Sequence, residues 1–507
     1  MLARIHTCAL YGIDSFIIDV ESDISNGMAT FEIVGLGDTA VKESKERIKA
    51  SLKSVGSHLY RDKIVVNLAP ASIKKEGSHL DLPIALSILS KEYNFSKEII
   101  DSSVFIGELA LNGELRSVDG ILPMVISAYE KGFKNVFLSY DNIKEAAIVK
   151  DINIYPVKHI EECILHLTKS SEIPKYTSEE SEIKNEIENL DFSDVKGQDD
   201  IKRALLVAAS GNHNFLMVGT PGSGKTMIAE RIPTILPPLS FSEALEVSKI
   251  YSVAGLIEKD KPLITKRPFR QVHHTISTVG ITGGGRIPKP GEITLAHRGV
   301  LFLDELLEFK KDALETLRQP VEEGKVTVTR VSGSVTYPCN VMLIASLNPC
   351  PCGYYGSNVK ECTCSDAQIR NYMKKISGPL LDRIDIQIEV PNVLYKDISD
   401  EKSKISSKVM AEMVLTAREI QKERYKDFGF LTNKDIPAGL IDKFCPLGEK
   451  EKALMEMAYN NLGLSARAHS KILKVARTIA DLEGAKDISV SHLAEAIQYR
   501  NLDKKYF

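Results

Sequence analysis

The sequence contains no tryptophan, only 7% aromatic residues and almost no net charge, with a formal balance of −3 over 507 residues. That balance excludes a molecule whose whole surface is built for a polyanion, so any nucleic-acid surface has to be a local patch. No apolar run reaches the roughly 18 residues that suggest a membrane span. Met1 to Val20 also lacks a basic start followed by a long apolar stretch, so a cytoplasmic location with no membrane partner is the expectation. Cysteine is scarce as well, at eight residues. In a reducing compartment these need not form disulfides, and four of them crowd together at Cys350, Cys352, Cys362 and Cys364, a cluster that points first to metal. The chain is too long for one ordinary core, and length alone suggests about two to four domains.

Residues 1–167 read as mixed α/β. Strand-like runs at Ser15–Val20, Phe31–Val34, Lys63–Leu68, Val104–Gly107 and Asn135–Leu138 interleave with helical patterns at Ala40–Ser54 and Leu82–Leu89. Residues 168–192 are acidic, polar and poor in aromatics, the composition of a flexible linker. Residues 193–392 repeat strand, glycine-rich turn and helix around buried apolar strands, the pattern of a parallel α/β nucleotide-binding core. Residues 393–507 carry helical periodicity and read as a helical bundle.

Gly219, Thr220, Pro221, Gly222, Ser223, Gly224, Lys225 and Thr226 match G-x-x-x-x-G-K-[ST], following the apolar strand Phe215–Val218 and opening a helix. The glycines let backbone N–H groups wrap phosphates. Lys225 supplies charge to the β- and γ-phosphates, and the Thr226 hydroxyl is placed to ligate Mg²⁺, so ATP and Mg²⁺ are the expected cofactors. In "GVLFLDELLEF" a buried strand ends at Asp304 and Glu305, the first placed for the Mg²⁺ shell and the second for polarising water. A third buried strand, in "VMLIASLNP", ends at Asn348, positioned to orient that water.

The order of phosphate loop, acidic strand, Asn-ended strand, "LLDR" and "SAR", opened by "FSDVKGQDDIKRAL", resembles the AAA+ ATPases. That resemblance implies that Asn348 is the first sensor, Arg383 an arginine finger reaching a neighbour's nucleotide, and Arg467 the second sensor in a helical lid. A finger acting in trans implies a homo-hexamer. The bland alternatives are an ion pair of Arg383 with Asp382 or Asp385 and a solvated helix position for Arg467.

Two segments stand out inside this core. Between Lys261 and Gly299, Lys266, Arg267, Arg270, Arg286, Lys289 and Arg298 face a single later acid, Glu292, and Gly283–Gly285 permits a tight hairpin tip. "KVTVTRVSGSVTYP" alternates around Ser332 and Gly333, with Arg330 near the tip of a second hairpin. Both fall where AAA+ proteins of the magnesium-chelatase and replicative-helicase group carry a second-helix insert and a hairpin before the first sensor. In ring helicases of that group such loops grip nucleic acid, which makes Lys266, Arg267, Arg270, Arg286, Lys289 and Arg330 candidate DNA contacts. The alternative is packing between subunits.

"RPFRQVHHTIS", "GEITLAHRGVLFLDEL" and "LNPCPCGYYG" are similar to phrases of the YifB/ComM family of magnesium-chelatase-like ATPases, and the likeness covers nearly the whole chain. ComM proteins are DNA branch-migration helicases, so the resemblance implies that activity, DNA as a partner and recombination proteins as further partners. A metal-chelatase motor or a protein-remodelling ring are the rivals. The N-terminal region resembles the Lon-protease domain, a fold also used by RadA. By that likeness Lon's nucleophilic serine falls at His79 and its lysine at Leu122, and leucine supplies no base. Ser78 is one position away, with Lys74 and Lys75 nearby in what reads as a solvated loop or a phosphate-contacting edge. The fold expected is therefore α/β multidomain: a Lon-protease-like, non-proteolytic α+β N-domain, an AAA+ P-loop core and a C-terminal helical lid.

"CPCGYYGSNVKECTC" gives two C-x-C pairs around a short loop. Four thiolates can close a tetrahedral Zn²⁺ site and fold a loop too small for a core of its own, although C-x-C is tighter than the usual C-x₂-C. The alternative is four reduced cysteines that bind nothing.

Overall fold

The computed structural model describes residues 4–37, 39–71, 74–177, 190–285, 288–330, 333–357, 360–393, 405–502 and 506. The middle of the expected linker, residues 178–189, lies outside them, as do Arg286 and Ser332.

The N-terminal part is built on two sheets. In the first, Arg4–Tyr11, Asp14–Ser25, Lys63–Ala69 and Thr30–Val34 are neighbours in that order, with the last pair parallel. The helices Thr39–Ser54 and Asp81–Leu89 pack with this sheet, and every residue of the second helix is buried. Its one acid, Asp81, receives Arg47 Nε at 2.7 Å, which makes the burial of a carboxylate tolerable. A second, parallel sheet joins Ser103–Phe105, Asn135–Ser139 and Asn153–Val157.

In the middle of the chain, five parallel strands lie in the order Phe269–Val272, Val300–Leu303, Met342–Leu347, Phe215–Gly219 and Ile386–Val390. Alternate residues point to opposite faces, and each face has its own core: Phe215, Met217, Val300 and Phe302 on one side, Leu216, Val218, Leu301 and Leu303 on the other. Burial on both faces is why the three inner strands read as nearly unbroken apolar runs. The parallel α/β core expected from sequence is borne out. One strand was not foreseen: Phe269–Val272 lies inside the segment taken for an insertion, yet it forms an edge of the main sheet.

Two hairpins leave this core. Gly283–Gly284 pairs with Lys289–Pro290, and Lys325–Arg330 pairs with Gly333–Pro338. Tyr337 Oη, on the second, donates to the Pro288 carbonyl of the first at 2.8 Å. The C-terminal helices Ser407–Tyr425, Glu449–Leu462, Ala466–Leu482 and Val490–Gln498 form the expected helical region. They are fixed beneath the amino ends of the strands. Lys434 Nζ donates to Asn214 Oδ1 and the Val341 carbonyl at 2.9 and 3.1 Å, and Lys471 Nζ lies 2.7 Å from buried Asp385. Burial opposes ionisation of Asp385, but Lys471 and His213 hold its carboxyl well below the usual range.

The N-terminal part also touches the core directly. Tyr11 Oη donates to the Ser334 carbonyl at 2.8 Å, and Ile13 packs on the core face that includes Leu301 and Leu303. Ser252 Oγ, on the helix Phe241–Ala254, bonds buried Glu145 at 2.5 Å, and the same carboxylate accepts the Leu122 N–H at 3.0 Å.

Candidate functional site

At the carboxyl ends of the parallel strands, the turn after Phe215–Gly219 takes left-handed backbone at Gly222 and Gly224, with φ of 79° and 89°. Side chains other than glycine pay for that conformation, which is why the motif places glycine there. The loop is braced from below by Gln198, whose Nε2 donates to the Ser223 and Pro391 carbonyls at 3.0 and 3.1 Å. Lys225 is buried, and its Nζ donates to the Gly219 carbonyl, the Thr220 carbonyl and Asn348 Oδ1 at 2.7, 2.9 and 3.1 Å. Burial pushes it down to about 8, with Asp304 and Glu305 pulling the other way. Ser223 Oγ is buried without a hydrogen-bond partner, an orphan hydroxyl inside the loop.

Thr226 Oγ1 donates to Asp304 Oδ2 at 2.9 Å, so a hydroxyl and a carboxylate suited to one hard cation already meet. Ser346 Oγ bonds the other oxygen of Asp304. Glu305 follows with φ of 52°, left-handed for a non-glycine residue, which turns its exposed carboxylate away from the strand line. His274 Nδ1 lies 3.7 Å from Glu305 Oε2. These features fit a magnesium nucleotide: an orphan hydroxyl, a lysine beside the loop, and a threonine–aspartate pair.

Gln198, Ser346 and His274 were not singled out from sequence. A signal existed for each. Ser346 is the polar residue two before Asn348 on an otherwise apolar strand, Gln198 sits inside the opening box, and His274 is half of the paired histidines in "RQVHHTIS".

Arg383 stands elsewhere. It precedes the strand Ile386–Val390, at the amino ends of the parallel strands, and a strand of five residues puts roughly 16 Å between that edge and the phosphate-loop edge. Its Nε and Nη1 donate to the Arg318 and Pro379 carbonyls at 2.8 and 2.5 Å, and Nη2 pairs with Glu322. Arg467 Nη2 meets the other oxygen of Glu322 at 3.5 Å. The ion pair of Arg383 is thus with Glu322 rather than with Asp382 or Asp385, and one carboxylate gathers both arginines.

The basic segment needs correction. Arg267 is turned inward, donating to the Pro237 and Arg298 carbonyls at 2.6 Å each and to Glu243 at 3.3 Å, and burial lowers its pKa. Arg270 is held by both oxygens of Glu292, at 2.6 and 2.9 Å. Neither guanidinium is free to meet a phosphate backbone. Lys266 and Lys289 are exposed, Arg330 ends its strand at the hairpin tip, and Arg286 lies outside the described residues.

In the N-terminal part, Leu122 is fully buried and His79 almost so, with Nε2 of His79 2.9 Å from the Cys8 carbonyl. Lys74 pairs with Glu76. Lys75, expected in a solvated loop or a phosphate-contacting edge, is instead fully buried and bonded to the Pro70 carbonyl, because its stem packs inward and its amine finds an acceptor there.

The four clustered cysteines converge. Cys350 Sγ is 3.3 Å from Cys352 Sγ and 3.7 Å from Cys362 Sγ, Cys352 Sγ is 3.6 Å from Cys362 Sγ, and all four sulfurs including Cys364 lie within 4.8 Å of one another.

The whole length of the chain has relatives. Competence protein ComM of Haemophilus influenzae is 39% identical over 507 residues, covering 98% of this chain and 97% of that protein. YifB of Escherichia coli is 38% identical, covering 99% and 98%. The chain belongs to the ComM/YifB family of magnesium-chelatase-like AAA+ ATPases. Profiles described as magnesium chelatase, subunit ChlI, match residues 191–398; as subunit ChlI of Mg-chelatase, residues 20–142; and as subunit ChlI C-terminal, residues 404–500. A magnesium-chelatase 38 kDa subunit of Rhodobacter capsulatus is 23% identical, over 60% of this chain and 84% of that protein. ComM/YifB membership carries with it an AAA+ ATPase core that works with ATP and Mg²⁺, in a family that is typically oligomeric. No helix among the described residues is long and apolar enough to cross a membrane.

Proposed function

We propose that the chain is an ATP-driven homo-hexameric motor that moves DNA, acting on branched recombination intermediates. The observation that carries the ring is the division of the ATP machinery between opposite edges of one sheet. Lys225, Thr226, Asp304, Glu305 and Asn348 stand at the carboxyl ends of the strands, whereas Arg383 stands at the amino ends, too far to serve its own site. A neighbouring subunit's Arg383 then completes each site.

Within it, the phosphate-loop N–H groups and the Lys225 ammonium hold the β- and γ-phosphates. The Glu305 carboxylate accepts a hydrogen bond from the attacking water and polarises it, with Asn348 fixing its line of approach. Thr226 and Asp304 would hold Mg²⁺, which would supply neutralising charge to the phosphates. Arg383 stabilises the charge that develops on transfer, and Arg467 links that event to the helical region through their common partner Glu322. Cys350, Cys352, Cys362 and Cys364 form a closed structural Zn²⁺ set.

The DNA reading is supported by the two hairpins that leave the same module and by the likeness to a competence protein. Lys266, Lys289 and Arg286 on the first hairpin segment and Arg330 on the second are the contacts proposed. The N-terminal part serves as a non-proteolytic collar, consistent with apolar Leu122 where a Ser–Lys dyad needs an amine.

One observation favours a second reading, a chelatase-type or protein-remodelling motor: the internal pairing of Arg267 and Arg270 leaves the first hairpin segment less basic than its composition suggests. Steady-state ATPase rates with single-stranded, duplex and forked DNA, blanked with Glu305→Gln, separate the two. Stimulation that falls with Lys289→Ala supports DNA translocation, and a rate indifferent to every DNA sinks it.

A further inference from the structure

The knuckle formed by the four cysteines sits where a metal would govern more than its own loop. Between Leu347 and the helix Asp366–Met373, no described residue is in a helix or strand, and only Cys350 among the four cysteines is fully buried. Ordering such a loop costs backbone entropy, and none of its described residues joins a hydrophobic core that would offset that.

All four cysteines are free thiols, and the sulfurs of Cys350, Cys352 and Cys362 stand 3.3 to 3.7 Å apart, far from the roughly 2.05 Å of a disulfide. Zinc–sulfur bonds of about 2.3 Å in a tetrahedron place the sulfurs about 3.8 Å apart. The observed separations are close to that edge. Two backbone N–H groups also point at sulfur, Tyr355 N–H to Cys350 Sγ at 3.3 Å and Cys364 N–H to Cys362 Sγ at 3.4 Å, the outer bonds that stabilise metal-bound thiolates. With four protein ligands the site is closed, so its role is structural.

The knuckle also bears on the phosphate loop. Gly353 is buried, with φ of 86°, and a Cβ there would lie 2.6 and 2.7 Å from Cδ and Cγ of Pro221. Backbone of the knuckle therefore rests directly on the ring of the third residue of the phosphate-loop motif. The chain enters the knuckle from Asn348, whose Oδ1 accepts Lys225 Nζ at 3.1 Å. One small loop thus touches the nucleotide site at two points, from outside through Pro221 and from within through Lys225.

We propose that Zn²⁺ bound by Cys350, Cys352, Cys362 and Cys364 braces the phosphate loop, so that metal occupancy sets the affinity of this motor for ATP. The brace rests on the ATP-site and zinc readings above. The knuckle is then a part of the nucleotide site that lies outside its familiar motifs, and Gly353 is a positioning residue.

The test uses the full chain, elemental analysis and equilibrium binding of a fluorescent ATP analogue with Mg²⁺. The wild type should carry about one zinc per chain. Cys362→Ser, or a zinc chelator added to folded wild type, should remove the metal and weaken ATP binding by about tenfold, the low end of what lost outer support costs a site. Gly353→Ala, with all four thiols intact, should keep its zinc and still bind ATP severalfold more weakly. Restoring zinc to the chelated protein should restore binding.

Zinc-loaded wild type and zinc-free protein that bind the analogue equally would overturn the brace and leave the metal site standing. Wild type that neither contains zinc nor takes it up from added zinc chloride overturns the metal itself. Zinc-loaded wild type that binds no ATP analogue overturns the nucleotide-site reading and the brace with it. Should Cys362→Ser fail to fold, the chelator titration and Gly353→Ala decide between the same outcomes.

Discussion

Two lysines, one in the N-terminal part and one in the ATPase core, are buried side chains that donate to backbone carbonyls, and burial lowers the pKa of both. Lys75 gives its amine to Pro70, with no carboxylate among the described residues paired to it. Lys225 gives its amine to Gly219, Thr220 and Asn348, with Asp304 and Glu305 pulling on its charge and left-handed glycines beside it. A buried lysine by itself is a packing solution with a costly head group. It becomes chemistry when the surrounding backbone can open to a ligand and acids stand ready for a cation and a water.

The first way to break the comparison is to remove each amine. Lys225→Ala should abolish binding of a fluorescent ATP analogue and all turnover. Lys75→Met should leave ATP binding and hydrolysis at wild-type levels, and loss of turnover there would give the N-terminal lysine a role that its surroundings deny. Next in size, Arg383→Ala should bind ATP normally and hydrolyse it about a thousandfold more slowly, the lower bound for losing an arginine finger. Rings mixed with Glu305→Gln subunits, which keep Arg383, should regain part of the rate, and a cis-acting Arg383 would show no such rescue.

A pH titration sharpens the contrast further. The ammonium form of Lys225 binds phosphate, and in the free protein it is lost as pH rises through about 8. ATP affinity should therefore be fully present below that value and decline above it, well short of the ordinary lysine value of 10.5. A flat affinity up to pH 9.5 would remove Lys225 from phosphate recognition. The smallest expected effect is on the hairpin. Lys289→Ala should lower the slope of log affinity against log salt for DNA by about 0.7–0.9, one phosphate contact. Arg270→Ala should leave that slope unchanged, because its charge is already spent on Glu292.

Much of this was legible in the sequence, and for local reasons. Val300–Leu303 and the phosphate-loop motif announce themselves because a strand buried on both faces must be apolar throughout and a phosphate-wrapping turn must have glycine at fixed offsets. The strand Phe269–Val272 hid because "FRQV" lies within a run of arginines and, at the sheet's edge, keeps polar side chains. The fate of Arg267 and Arg270 was illegible for a different reason. Their partners come from the helix Phe241–Ala254 and from Glu292, and no local pattern tells a paired guanidinium from an available one. Glu322 was missed similarly, since its meaning lies in two arginines 61 and 145 positions away.

Two of the attachments of the N-terminal part, Tyr11 to Ser334 and Glu145 to Ser252, have a mechanical corollary. One rivet is driven into a hairpin and the other into a helix of the same ATPase module. A body pinned at both of these places cannot swing about either; it can only be carried, or be sheared when the hairpin and the helix part. In the motor proposed above, a stroke that shifts the hairpin relative to the helix would therefore load the N-terminal part like a strut.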